Sequence, residues 1–133
     1  MKTALALSAL ALLGWHSASH AATQIDLAQG QALYESHCMK CHAISTNHVG
    51  PRHQNVVGRR AGSVADFMYS AALKNSNVVW TEEMLDRWLR NPEALIPGQE
   101  MDVRVKSAEE RRLLIQYLKS QSLAPNPSQT APP

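Results

Sequence analysis

Apolar and polar positions divide the chain into a leading apolar run, three main stretches of helical period and a polar tail. From Asp26 onward, Leu27, Gly30, Tyr34 and Cys38 fall three or four residues apart, which predicts an amphipathic helix. Asp26 with Gln29 three positions on forms a capping-box arrangement at its start. Gly30 inside that helix is about 1 kcal/mol less favourable than Ala, so another element is expected to cross it closely. Residues 43–62 contain Gly, Pro, Ser and Asn with no sustained period and read as loop. Residues 66–73 read as a short helical piece. Thr81 caps a second clear helix, with Glu82 and Glu83 in its first turn and Leu85, Trp88 and Leu89 on its apolar side. Asn91-Pro92 ends it, and residues 92–105 read as an irregular, partly apolar loop. Ser107 and Glu110 make another capping box, and Leu113, Leu114, Tyr117 and Leu118 give the last helix its buried stripe. No repeat and no convincing strand pair is present. The expected fold is all-α, with four to five helices, long loops and something other than side chains at the centre.

The two ends do not belong to that pattern. Residues 4–13 are Ala and Leu with one Ser, behind the positive charge of Lys2. Ser19-His20-Ala21 then offers small residues at the −3 and −1 positions of a cleavage site. Residues 1–21 therefore read as a cleaved secretory signal peptide, since a membrane anchor needs roughly 20 apolar residues. Residues 22–121 read as one domain and 122–133 as a disordered tail rich in Pro and Ser. Loss of residues 1–21 takes away Lys2 and no acid, lowering the formal charge from +2 to +1. That balance favours neither nucleic acid nor stable membrane association.

One pentapeptide carries the chemistry: Cys38-Met39-Lys40-Cys41-His42. It contains the only two cysteines and has the C-x-x-C-H spacing of covalent c-type haem attachment. Thiols at i and i+3 project to one side, where they can bond to the two vinyl groups of one porphyrin. The adjacent His42 then reaches the iron. A disulfide between the cysteines would leave His42 without a role. A zinc site from Cys38, Cys41, His48 and His53 has only six residues between Cys41 and His48, against about 12–15 in a zinc finger. A thiol-redox protein would place strands around the motif, whereas a helix leads into it here.

Around this motif the sequence resembles class I cytochrome c, from about Gly30 to Leu118. The resemblance is carried, in order, by Gly30-x-x-x-Tyr34, the CMKCH motif, Gly50-Pro51, Gly58-Arg59, Phe67-x-Tyr69-Ser70 and Trp80. It continues through Asn91-Pro92, Ile96-Pro97-Gly98-x-x-Met101 and Leu114-x-x-Tyr117-Leu118. The resemblance implies one haem c, bonded to Cys38 and Cys41, with His42 and Met101 as the axial ligands of its iron. The Pro51 carbonyl would accept from the His42 Nδ1–H, and Tyr69, Trp80 and Arg59 would hold a buried propionate. Gly30 and Tyr34 would cross Leu114 and Tyr117. The implied function is electron transfer without enzymatic turnover: a soluble one-electron carrier of the bacterial periplasm, monomeric and meeting its partners transiently. Its donor would be a quinol–cytochrome c reductase or periplasmic dehydrogenase, and its acceptor a terminal oxidase or reductase.

The sequence also departs from the family. His53 stands where the family has an aliphatic residue packed on haem, and Gln99 where a hydroxyl residue helps hold the propionate and the methionine loop. Residues 102–105 lack the usual aromatic and glycine and are one residue short. Glu100 and His37 replace lysines of the basic ring that steers partners, while Lys40, Arg52, Lys74, Arg104 and Lys106 could form a different one. Two alternatives follow: a dedicated electron-transfer subunit of a periplasmic dehydrogenase or reductase, or a haem enzyme or gas sensor with a labile Met101.

Overall fold

A computed structural model describes residues 16–123. Most of the expected signal peptide and residues 124–133 of the expected tail lie outside the described residues. Among the described residues five helices follow one another: α1 His16–His37, α2 Ala71–Lys74, α3 Glu82–Arg90, α4 Pro92–Leu95 and α5 Ala108–Leu123. Among the described residues the only extended pairing is a single antiparallel bridge between Arg60 and Val79.

Helix α1 starts earlier than the capping pattern at Asp26 predicts, because residues 16–25 contain neither Gly nor Pro to stop it. Asp26 is thereby inside the helix, and its carboxylate pairs with Arg112 of α5 at 2.9 Å. At the other end, α1 delivers Cys38 directly, whose N–H donates to the Tyr34 carbonyl at 2.8 Å.

α1 and α5 cross at Gly30, as the mid-helix glycine predicts. A Cβ there would lie 2.4 Å from the Leu113 carbonyl oxygen and 2.9 Å from the Tyr117 Cβ. Hydrogen is the only side chain that permits this approach. The crossing buries Tyr34 together with Leu114, Leu118 and Ile115, and Leu114 is 1% exposed. Burial of such side chains is worth about 1.5–3 kcal/mol each.

The second helical pattern forms as expected. The Thr81 hydroxyl accepts from the Met84 N–H at 3.1 Å, and Leu85, Trp88 and Leu89 are the buried residues of α3. The Ser107 hydroxyl likewise accepts from the Glu110 N–H at the start of α5. Two further expectations need correction. The helical piece expected at 66–73 is confined to α2, because the Ser70 hydroxyl caps Leu73 and places the helix start after it. The loop expected at 92–105 opens with a helical turn, α4, for which Pro92 at its first position is well suited.

The far end of that loop is tied to the core. Val105 N–H donates to the Leu89 carbonyl at 2.8 Å. Arg111, 4% exposed, donates to the Val105 and Lys106 carbonyls at 2.9 and 2.8 Å and pairs with Asp86 of α3 at 2.6 Å. One buried guanidinium thus joins α3, α5 and the end of the 96–106 segment.

Candidate functional site

The helices and loops enclose a cavity of about 360 Å³. Every haem-site residue that the resemblance implies lines it: Cys38, Cys41 and His42, with Pro51, Arg59, Tyr69, Trp80 and Met101. Much of the remaining wall is aliphatic, from Val56, Leu85, Leu89 and Leu114.

The cysteine motif is a turn at the end of α1. Cys41 and His42 N–H groups both donate to the Cys38 carbonyl, at 3.0 and 2.9 Å. Both cysteines are free and half-buried. Burial, with Cys41 alongside, pushes the Cys38 thiol up to about 12. A thiol so held stays protonated at neutral pH. Among the described residues no group of His, Cys, Asp and Glu is arranged to hold a metal ion.

His42 is fixed by three neighbours. Its Nδ1 lies 2.8 Å from the Pro51 carbonyl oxygen, the bond the family resemblance implies, which places the proton on Nδ1 and leaves Nε2 as the free lone pair. Its ring rests against Gly50, where a Cβ would lie 2.2 Å from His42 Cε1. The His53 ring stacks on it with centroids 4.1 Å apart and planes 19° apart. Burial, opposed by the Pro51 hydrogen bond, lowers the His42 pKa below its ordinary value. The imidazole is accordingly neutral at pH 7, the form that ligates metals.

Met101 sits in a segment held by a relay of polar groups. The Glu93 carboxylate accepts from the Gly98 N–H at 3.0 and 3.2 Å and from Gln99 Nε2 at 3.5 Å. Gln99 Oε1 in turn accepts from the Met101 N–H at 2.5 Å. The Met101 sulfur receives the Trp88 indole N–H at 3.2 Å. Met68, the other methionine at the cavity, is 94% exposed at its rim.

Arg59 donates to the Gln54 and Arg52 carbonyls at 3.0 and 2.8 Å, while its buried Nε has no partner among the described residues. The Tyr69 hydroxyl accepts from the Val64 N–H at 3.3 Å, leaving its own proton to donate. Trp80 packs against Trp88, with centroids 5.1 Å apart. A buried donor left unpaired is costly, and an acid group on a cavity ligand would satisfy it. The aliphatic wall, the paired thiols, the neutral imidazole and the orphan guanidinium donor together fit a haem.

Sequence reasoning missed the roles of Trp88, Glu93 and His53, and met Gln99 only as a departure at a position that holds the methionine loop. Trp88 reads as an apolar helix residue, and only the folded chain aims its N–H at Met101. Glu93 and Gln99 act through a turn that has no periodic signature. His53 reads as a departure from the family, with nothing in sequence to place it against His42.

Helices around a cavity that presents a C-x-x-C-H turn define a protein of the covalent-haem class. The cytochrome c sequence pattern matches residues 27–122. Cytochrome c 2.1 of Caenorhabditis elegans is 41% identical over 100 residues, covering 73% of this chain and 90% of that protein. Cytochrome c2 of Rhodomicrobium vannielii is 38% identical over 115 residues, covering 84% and 90%. The solved structure of cytochrome cH from Methylobacterium extorquens superposes with a TM-score of 0.68 at 35% identity, covering 71% of this chain and 98% of that one. The chain belongs to the cytochrome c family, with the class I fold. It is an electron carrier that holds haem c covalently, and Cys38 and Cys41 stand at the attachment spacing.

Proposed function

We propose that the chain is a one-electron carrier of the bacterial periplasm, with His42 and Met101 as the axial ligands of its haem iron. The observation that carries this reading is the meeting of the Cys38–His42 turn and Met101 at one cavity. When bound, haem supplies a one-electron Fe(II)/Fe(III) couple. His42 Nε2 is free to ligate because Nδ1 is committed to the Pro51 carbonyl, a bond that fixes the ring and raises its basicity. The Met101 thioether stabilises the ferrous state and so raises the reduction potential. Arg59, Tyr69 and Trp80 supply donors to a buried propionate, whose charge would otherwise be expensive in this setting.

Gly50 and His53 confine His42, while Glu93, Gln99 and Trp88 confine Met101, an arrangement that would keep both side chains in place as a bound iron changed charge. The chain itself breaks no substrate bond and acts as a carrier, not as an enzyme.

Residues 1–21 serve as the export signal, and export carries the mature chain to the periplasm. No helix among the described residues is long and apolar enough to cross a membrane. Donor and acceptor are redox proteins, a quinol–cytochrome c reductase or dehydrogenase on one side and a terminal oxidase or reductase on the other. Encounters are small and transient, as for other electron-transfer pairs. With Glu100 and His37 in place of lysines, the charges steering them differ from those of mitochondrial carriers.

The test is Met101→Ala in the mature holoprotein. The variant should keep its haem and bind carbon monoxide when reduced at neutral pH, while the unaltered protein does not. Carbon monoxide binding by the unaltered protein would replace this reading with that of a ligand-binding haem protein.

A further inference from the structure

The His42–His53 stack has no counterpart in the implied ligand set. His53 lies in the loop after Pro51, with its N–H donating to the Ala43 carbonyl at 2.9 Å. Its ring is nearly parallel to that of His42 and in face-to-face contact. The far end of the contact is anchored as well: the Tyr34 hydroxyl lies 3.1 Å from His53 Nδ1 and the two rings meet edge-on at 5.7 Å. Tyr34 is 2% exposed and packs against Tyr117 at the crossing of α1 and α5. The chain of contact therefore runs from the helix crossing through Tyr34 and His53 to the face of His42.

We infer that His53 is a positioning residue, whose ring fixes the rotation of the His42 imidazole about its bond to the iron and is itself held by Tyr34. The Pro51 hydrogen bond constrains one edge of the His42 ring, and Gly50 backs the ring with no side chain of its own; a hydrogen bond alone tolerates rotation about its own axis. A stacked face removes that freedom. An aliphatic side chain at position 53 would fill space without selecting a plane. Ring rotation determines which porphyrin orbitals the imidazole overlaps, and hence how unpaired spin spreads over the four pyrroles in the ferric state. Position 53 thus tunes electronic structure without touching the iron.

This inference rests on His42 as the iron ligand. The experiment compares the ferric holoprotein with His53→Leu, His53→Phe and Tyr34→Phe, by proton NMR of the haem methyls and by redox titration. His53→Leu should change the spread and order of the four methyl resonances and shift the midpoint potential. His53→Phe keeps a stacking face and should stay closer to the unaltered pattern. Tyr34→Phe removes only the hydroxyl and should move the methyls in the same direction as His53→Leu, by less. A role in packing alone would lower thermal stability while leaving the methyl pattern in place. A His53→Leu pattern that superimposes on the unaltered one overturns the inference. If His53→Leu yields no holoprotein, an unchanged pattern in Tyr34→Phe overturns it instead. Failure of the ligand reading is distinguishable, because the unaltered protein would then lack a low-spin histidine–methionine spectrum.

Discussion

Gly30→Ala is the sharpest test of the packing that shapes the site. In an isolated helix this change would be favourable by about 1 kcal/mol. In this fold the new methyl would sit 2.4 Å from the Leu113 carbonyl oxygen and 2.9 Å from the Tyr117 Cβ, where ordinary contact begins at 3.4 Å. A backbone oxygen and a Cβ cannot move aside by changing rotamer, so α1 and α5 must separate. Overpacking of this kind costs about 1–3 kcal/mol, and the rigid neighbours place it at the upper end. Net destabilisation of about 2 kcal/mol follows, with the propensity gain subtracted. For a domain of roughly 100 residues that lowers Tm by about 8–16 °C. The assay is guanidinium unfolding of the ferric holoprotein followed by circular dichroism, where the midpoint should fall with an unchanged slope. Gln31→Ala, at the exposed neighbour, should stay within about 0.5 kcal/mol of the unaltered protein. Equal or greater stability of Gly30→Ala would refute the tight crossing.

Three further outcomes follow from the same contacts. Trp88→Phe removes the N–H that draws electron density from the Met101 sulfur; with Met101 as the proposed ligand the sulfur would donate more strongly to ferric iron, and the midpoint potential in a redox titration should fall. Arg111→Met leaves the Val105 and Lys106 carbonyls without their charged donor, and should lower the free energy of denaturant unfolding by about 3 kcal/mol. The Arg111 hydrogen bond holds the Asp86 carboxyl below its ordinary 3.8, so this pair's stabilisation is complete above that value and is lost as pH falls through the folded-state value. Denaturant unfolding at stepwise lower pH should accordingly show unfolding free energy falling less steeply below about pH 4 in Asp86→Asn than in the unaltered protein.

Local signals in the sequence place several parts of the structure correctly. Thr81 and Ser107 cap α3 and α5 because a hydroxyl before a helix has an N–H within reach whatever the rest of the fold does. Gly30 announces the helix crossing because no local advantage explains a glycine there. The Cys38–His42 motif carries its chemistry in five adjacent residues. The start of α1 is misplaced because Asp26 has two possible uses, and the ion pair with Arg112 takes it. The extent of α2 turns on a single capping hydroxyl, that of Ser70. Trp88 against Met101, Gln99 against the Met101 N–H and His53 against His42 are tertiary juxtapositions. Sequence spacing contains no term for any of them.

The central claim is that His42 and Met101 both hold the iron of a covalently attached haem. The most direct measurement is the visible absorption spectrum of the exported, purified protein, oxidised and then reduced with dithionite. The account predicts sharp c-type bands on reduction and, in the oxidised protein, the weak red band of methionine bound to ferric haem. Haem bands without the red feature would contradict Met101 ligation. Absence of haem bands after expression with the maturation machinery would contradict the account as a whole.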